Sequence, residues 1–367
     1  MGATPGDSSC RKDYGHICYA AQLLLLAIFL RDSLRIQSCC NTAYDLWRIF
    51  YTKQTFNLLT NINMHAAQRY PFFVLLISLW LSGCASLPKP FIVNDPPLTK
   101  PLAITFAKHP VIALVLGGGA TRGFAHVGVL NILEEHGIQP NLVVGTSAGA
   151  VTGALYAGGI RGEQLESVAN ELQQEQIADW SYSGRGVIRG ELLQNFINQL
   201  LRDRPIEHLD TKFVATATDL DTGQLVIFTR GDAGLAVRAS STIPGLVSPV
   251  TINGRDYVDG GLVSNVPAAL ARQLGADIVI AVDVSRSITE HEQLDSTLAV
   301  LQQSLEIMQQ ALTRTDLSAA DIVIRPPIGE LPFGDFEQKS HAIKAGAAAA
   351  TIAIPDIQQL LRPKSQE

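Results

Sequence analysis

Hydrophobic residues change their spacing sharply near position 111. From Val111 to Leu116 the chain is continuously apolar, as expected of a strand buried on both faces. A glycine-rich turn, Gly117 to Gly123, follows. Phe124 to His136 then places Phe124, Val127, Leu130 and Leu133 at helical intervals, with Gly137 as a stop. A second short strand is predicted at Asn141–Val144 and a small-residue helix at Ala148–Tyr156. Further strands are expected at Lys212–Thr218, Leu225–Thr229, Asp277–Val284 and Asp321–Arg325. Further helices are expected at Gly162–Gln174, Gly190–Asp203, Ala268–Leu274, His291–Leu312 and Ser340–Leu361. Asn253-Gly254, between Val250–Ile252 and Tyr257-Val258, is a hairpin signal. Strands alternating with helices predict an α/β fold with a largely parallel sheet.

The first 90 residues have a different pattern. Met64 to Arg69 is a short positive start, and Pro71 to Leu81 is an uncharged apolar run of 11 residues. That length suits a signal-peptide core and is too short for a spanning helix. Leu81-Ser82-Gly83-Cys84 follows, and this order resembles a bacterial lipoprotein lipobox, implying cleavage and lipidation at Cys84. Residues 1–63 are then an over-extended start or a leader, with Tyr19 to Leu30 as a possible inserting segment. Residues 84–110 are rich in proline (Pro88, Pro90, Pro96, Pro97, Pro101, Pro110) and are expected to form a semi-rigid tether. The expected organisation is thus a signal peptide at 64–83, a tether at 84–110, a folded body at 111–284 and a C-terminal helical extension at 285–367.

Composition narrows the function. Apolar residues are 47% and charged residues 17% of 367, so a large core is available and wholesale disorder is excluded. The net charge of −6 argues against general nucleic-acid binding. All five cysteines, Cys10, Cys18, Cys39, Cys40 and Cys84, precede the body, so no disulfide framework or cysteine zinc site is expected there. No metal or other cofactor is expected.

Three elements carry candidate chemistry. Gly145-Thr146-Ser147-Ala148-Gly149 matches G-x-S-x-G, in which a serine on a sharp strand-to-helix turn needs small neighbours. The bland alternative is a tight turn with a serine N-cap. The turn Gly117 to Gly123 can aim backbone N–H groups at an anion, and beside Ser147 those groups would form an oxyanion hole. Nucleotide binding is the other use of such a loop. No G-x-G-x-x-G frame fits here, and G-x-x-x-x-G-K-[ST] is absent. Val258-Asp259-Gly260-Gly261 is either a turn or a site for a catalytic aspartate.

In this order the three elements resemble the patatin-like phospholipase family. The resemblance runs from about Ile112 to Leu274 and includes Thr218 to Gly223 and Ala239 to Pro244. It departs from the plant-type loop D-G-G-G-x-R-G, because Gly117 stands for the aspartate and Ala120 for the third glycine. The resemblance implies a three-layer α/β/α fold and a serine acyl hydrolase working through a Ser147–Asp259 dyad. Gly118, Gly119 and Ala148 would supply the oxyanion amides. Gly117, Arg122, Gly123, Gly145, Gly149, Gly260 and Gly261 would complete the motifs. The expected substrate is a phospholipid or other acyl ester, reached through the lipid anchor, and Ala85 after Cys84 implies an outer-membrane address facing the periplasm.

Two alternatives stay open at this point. One is an α/β-hydrolase triad of Ser147, Asp259 and either His291 or His341. The other is a lipoprotein that binds acyl chains without turnover. His126 is expected to pack, Asp219 and Asp221 to make a turn, and Arg122 either to orient the loop, meet a head group or form a surface ion pair. Trp180 to Gly186 reads as a loop or a flap.

Overall fold

A computed structural model of the chain describes residues 93–362, except 102, 108, 182–184, 287–296, 330 and 332–333. The signal-peptide and lipobox readings, Cys84 included, lie outside the described residues, as does His291.

The strands, in chain order, are β1 (Ile112–Leu116), β2 (Leu142–Thr146), β3 (Lys212–Asp219), β4 (Leu225–Phe228), β5 (Val250–Ile252), β6 (Arg255–Asp259), β7 (Ile278–Val282) and β8 (Ile322–Ile324). The helices are α1 (Ala125–Glu135), α2 (Ala148–Ala157), α3 (Gly162–Glu171), α4 (Glu191–Leu201), α5 (Ala233–Ser240), α6 (Ala268–Gln273), α7 (Thr297–Asp316) and α8 (Lys339–Leu361). One sheet runs β5-β6-β3-β2-β1-β7-β8, with β4 beside β3. The pairs among β3, β2, β1, β7 and β8 are parallel. The β3–β4, β3–β6 and β5–β6 pairs are antiparallel.

The continuous apolar strands are explained by two cores, one on each face of the sheet. In β1, Leu114 and Leu116 enter one core while Ala113 and Val115 enter the other. In β7 the alternation repeats, with Ile278, Ile280 and Val282 on one face and Val279 and Ala281 on the other. Period-two strands need helices on both sides to bury both faces, which yields the expected three layers. One face is covered by α1, α2, α4, α5 and α8, and the other by α6 and the segment Leu98–Phe106. Each fully buried leucine or valine contributes about 1.5–3 kcal/mol.

Two segments depart from the expected organisation. The proline-rich stretch does not hang free from Val93 onward. Leu98 exchanges backbone hydrogen bonds with Ile227 of β4 at 2.8 and 2.9 Å, and the Ile104 amide donates to the Leu274 carbonyl at 3.0 Å. Leu98, Ile104 and Phe106 pack on the second core, so apolar burial turns this part of the tether into a strap. In the C-terminal stretch, β8 continues the sheet beyond β7 and Ile324, Ile328 and Leu331 enter the first core. These residues are therefore part of the α/β body as well as a helical extension. Helix α8 lies against α1 through a reciprocal pair of glycines. A side chain on Gly128 would overlap the Ile343 carbonyl, and one on Gly346 would overlap the Ala125 carbonyl. Among the described residues, no helix is long and apolar enough to cross a membrane.

Candidate active site

Strand register brings the candidate residues together. Along one edge of β3, Thr146 of β2 pairs with Thr216, and Asp259 of β6 pairs with Ala217. The carboxyl ends of β2 and β6 therefore meet head to head at adjacent residues of β3. Ser147 is the next residue after β2, and Asp259 is the last residue of β6. In open α/β sheets this edge, beyond the strand ends, is where ligands bind.

Ser147 sits on the expected sharp turn, with φ of 54°, a strained value for a side-chain-bearing residue. Its amide donates to Ser240 Oγ at 2.9 Å, which fixes the turn from the end of α5. The flanking glycines are required by space. A Cβ on Gly145 would lie 2.6 Å from Ala150 Cα, and one on Gly149 would overlap the Leu116 carbonyl. Thr146 Oγ1 and Thr216 Oγ1 are hydrogen-bonded at 2.7 Å beneath the turn.

Ser147 and Asp259 line the same cavity, and the nearby Ser147 hydroxyl favours the ionised form of the Asp259 carboxyl. Asp259 Oδ1 accepts from the Gly261 amide at 2.7 Å. Its backbone is held by Thr242 (Asp259 N–H to Thr242 O, 2.8 Å) and by the Thr218 hydroxyl, which donates to Asp259 O at 2.9 Å. Asp259 is buried. Burial pushes its carboxyl up to about 6 from an ordinary 3.8, against the opposing influence of the nearby Ser147 hydroxyl and the Gly261 amide.

The glycine-rich loop faces this pair, but one expected donor is already engaged. The Gly118 amide donates to the Asn265 carbonyl at 3.1 Å, and Asn265 Nδ2 donates back to the Gly118 carbonyl at 3.1 Å. Gly118 is thus a held hinge of the loop and not an open donor. Likewise the Gly117 amide donates to Val282 O at 3.0 Å, continuing the β1–β7 ladder. The amides of Gly119 and Ala148 donate to no acceptor among the described residues. Gly123 approaches Ala148 so closely that a side chain there would overlap its Cβ, which brings the loop and the first turn of α2 together. Gly260 and Gly261 continue β6 as a 3-10 turn, and a Cβ on Gly260 would lie 2.5 Å from Thr216 Oγ1.

Arg122 is no surface ion pair. Its side chain is 12% exposed, its Nε donates to the Val284 carbonyl at 3.1 Å, and Glu306 lies 4.0 Å away. Burial lowers its pKa. His126 is fully buried and its Nε2 donates to the Gly117 carbonyl at 2.8 Å. Burial holds this imidazole down at about 4, so it is neutral. His341 Nε2 donates to the Ile328 carbonyl at 3.2 Å and lines neither cavity at Ser147. Asp219 makes the expected turn, accepting from the amides of Asp221 (3.1 Å) and Thr222 (3.0 Å) and pairing with Arg255.

Two cavities meet at Ser147. One, of about 190 Å³, is bordered by Gly119, Asp259, Asn265, Arg122, Arg286 and Glu306. The other, of about 210 Å³, is bordered mainly by apolar groups including Val151, Leu172, Ile177, Leu193, Leu246 and Phe336. Two larger cavities, of about 490 and 510 Å³, lie along the strap and do not reach Ser147. Among the described residues there is no cluster of three histidine, cysteine, aspartate or glutamate side chains able to hold a metal. Sequence reasoning missed Ser240 and Asn265. Their signal was modest: each is a buried polar residue in or near a stretch already matched to the family pattern.

Residues 114–272 match the family model described as "Patatin-like phospholipase". The chain carries a patatin-like phospholipase domain, and its three-layer, mostly parallel α/β/α architecture is that fold. An uncharacterized NTE family protein of Mycobacterium tuberculosis is 36% identical over 194 residues, which cover 52% of this chain and 54% of the relative. Patatin-like phospholipase domain-containing protein 6 of Homo sapiens is 36% identical over 181 residues, 47% of this chain and 13% of that protein. The chain thus spans about half the length of the first of these relatives and far less of the second. Among solved structures, VipD from Legionella pneumophila aligns with a TM-score of 0.48 at 16% identity, over 68% of this chain and 67% of that one.

Proposed function

We propose that this chain is a serine acyl hydrolase that cleaves the acyl ester of a membrane phospholipid or lysophospholipid through a Ser147–Asp259 dyad. The carrying observation is that Ser147 and a buried Asp259 of raised pKa face one cavity where two strand ends meet. An ordinary aspartate is a weak base for an alcohol. Raising its pKa to about 6 brings it closer to neutral pH while leaving it mainly ionised there.

In this reading the acyl chain occupies the apolar cavity and the alcohol side of the ester faces the polar one. Ser147 Oγ attacks the carbonyl carbon as Asp259 takes the hydroxyl proton. The amides of Gly119 and Ala148 receive the oxyanion, each donor contributing about 3 kcal/mol to the transition state. The proton passes to the departing alkoxide. Water then attacks the acyl-enzyme, with Asp259 again as base, and Ser147 is released. Arg122 ties the glycine-rich loop to the end of β7, and with Arg286 and Glu306 it forms a charged wall of the polar cavity.

Fluorophosphonate labelling tests this reading. Labelling is expected in the wild type, lost in Ser147→Ala, strongly reduced in Asp259→Asn and retained in His341→Ala. Loss in the histidine variant would move the chemistry to a triad, and a folded but unlabelled wild type would end the esterase reading.

The reading also includes a lipid anchor at Cys84 and an envelope location, supported by the order of positive start, apolar run, small residues and cysteine. Incorporation of labelled palmitate that persists in Cys84→Ser would refute the anchor.

A further inference from the structure

Helix α7 is amphipathic in the reverse sense. Glu306, Gln309 and Thr313, spaced at i, i+3 and i+7, face the protein: Glu306 lies 3.5 Å from Arg286, Gln309 sits beside Gly261, and Thr313 is buried. The outward stripe is apolar instead. Val300, Leu301, Ile307, Met308 and Leu312 are exposed, Met308 by 60%, and Ser304 is the polar interruption. No charged side chain lies on this stripe before Arg314, which is exposed at its end.

The stripe borders the site. Leu301, Leu305, Glu306 and Gln309 of the same helix line the polar cavity at Ser147. Beside the apolar cavity, Trp180 (59% exposed) and Val187 are also turned to solvent, next to its lining residues Ile177, Ala178 and Ile188. Seven of the eleven large apolar side chains exposed among the described residues belong to these two segments, so the exposure is concentrated at the two cavities and not scattered.

We infer that α7 is the face by which the protein settles on a phospholipid surface, with Val300, Ile307, Met308 and Leu312 entering its acyl boundary and Arg314 meeting anionic head groups. This rests on the acyl-ester reading and gives that site its partner. A helix with polar residues toward the protein and apolar ones outward is stable against an apolar phase and poorly matched to water. A lipid surface also fits better than a protein partner. A bilayer at this face lets an acyl chain pass to Ser147 without crossing water, whereas a protein seated there would close the entry.

The test compares the full-length wild type with the double variant Ile307→Glu/Met308→Glu, neither residue lining the cavities. Turnover is measured on phosphatidylethanolamine vesicles containing phosphatidylglycerol and on a soluble short-chain nitrophenyl ester. Vesicle turnover is expected to fall about tenfold or more, because two apolar anchors are replaced by charges, while soluble-ester turnover stays within about twofold. An equal change on both substrates overturns the inference. A lipid-free dimer that the double variant splits overturns it too, in favour of a second copy on this face. If the wild type hydrolyses neither substrate, the acyl-ester reading fails, and docking is judged separately. For that, Met308→Trp is compared with Ile352→Trp, an exposed position on α8, on vesicles of brominated lipid. Extra quenching confined to Met308→Trp supports docking; equal or absent quenching overturns it.

Discussion

Asn265 holds Gly118 by both of its backbone polar groups, accepting its N–H with the backbone carbonyl and donating to its carbonyl from Nδ2, each at 3.1 Å. The loop conformation that leaves the Gly119 amide open thus depends on a residue six positions after Asp259. Asn265→Ala is expected to lower kcat on a soluble ester by about 10–100-fold with KM within about twofold, because the loss falls on the transition state. An unchanged kcat, or a loss confined to KM, would sink this role.

The raised pKa of Asp259 sets the acid side of the rate profile. A base must be ionised to accept the Ser147 proton, so kcat/KM is expected to rise with pH through a midpoint near 6 and level above it. A midpoint near 4, the range of an ordinary aspartate, would contradict the burial described here.

The same burial has a cost in stability, with a definite sign. The folded protein holds the Asp259 proton up to about pH 6, whereas the unfolded chain releases it near 3.8. Stability from this group is therefore greatest at low pH and declines as pH rises through that window. Asp259→Asn keeps an acceptor for the Gly261 amide without the buried charge. It is expected to abolish turnover while raising unfolding free energy at pH 7 by on the order of 2 kcal/mol. Urea unfolding checks this, and a less stable variant would count against it.

The glycine pair between α1 and α8 has no room to relax into. Gly128→Leu would drive a side chain into the Ile343 carbonyl, and a loss of about 3 kcal/mol or more is expected, or failure to fold. Chemical denaturation beside Ala348→Leu, an exposed position on α8, measures it; equal losses would show that the helices are not so tightly apposed.

Most strands and helices were legible because their periodicity is local. β1 and β7 read as continuous apolar runs because both faces are buried, and Asn253-Gly254 marked its hairpin through two left-handed residues, with φ of 50° and 80°. Helix α5 was missed. Ala233–Ser240 is short, and its best signal is one N-cap, Asp232, whose side chain accepts from the Leu235 amide at 2.8 Å. The helix predicted over His291–Leu312 is described at Thr297–Asp316. Ser147, Asp259 and the glycine-rich loop could be singled out because their motifs are contiguous. What could not be read was long-range: the head-to-head meeting of β2 and β6 on β3, and the engagement of the Gly118 amide by Asn265. Neither has a local pattern, since each depends on register between segments far apart in the chain.

The strap has a bearing on solubility. Beyond β4 the sheet would present an open row of backbone donors and acceptors, the kind of edge on which other chains stack. Leu98 closes that row at Ile227, while Pro96, Pro97 and Pro101, lacking N–H groups, keep the strap from being a template in its turn. A chain trimmed to begin at Val111 would keep every residue of the Ser147 site and lose its guard against self-association.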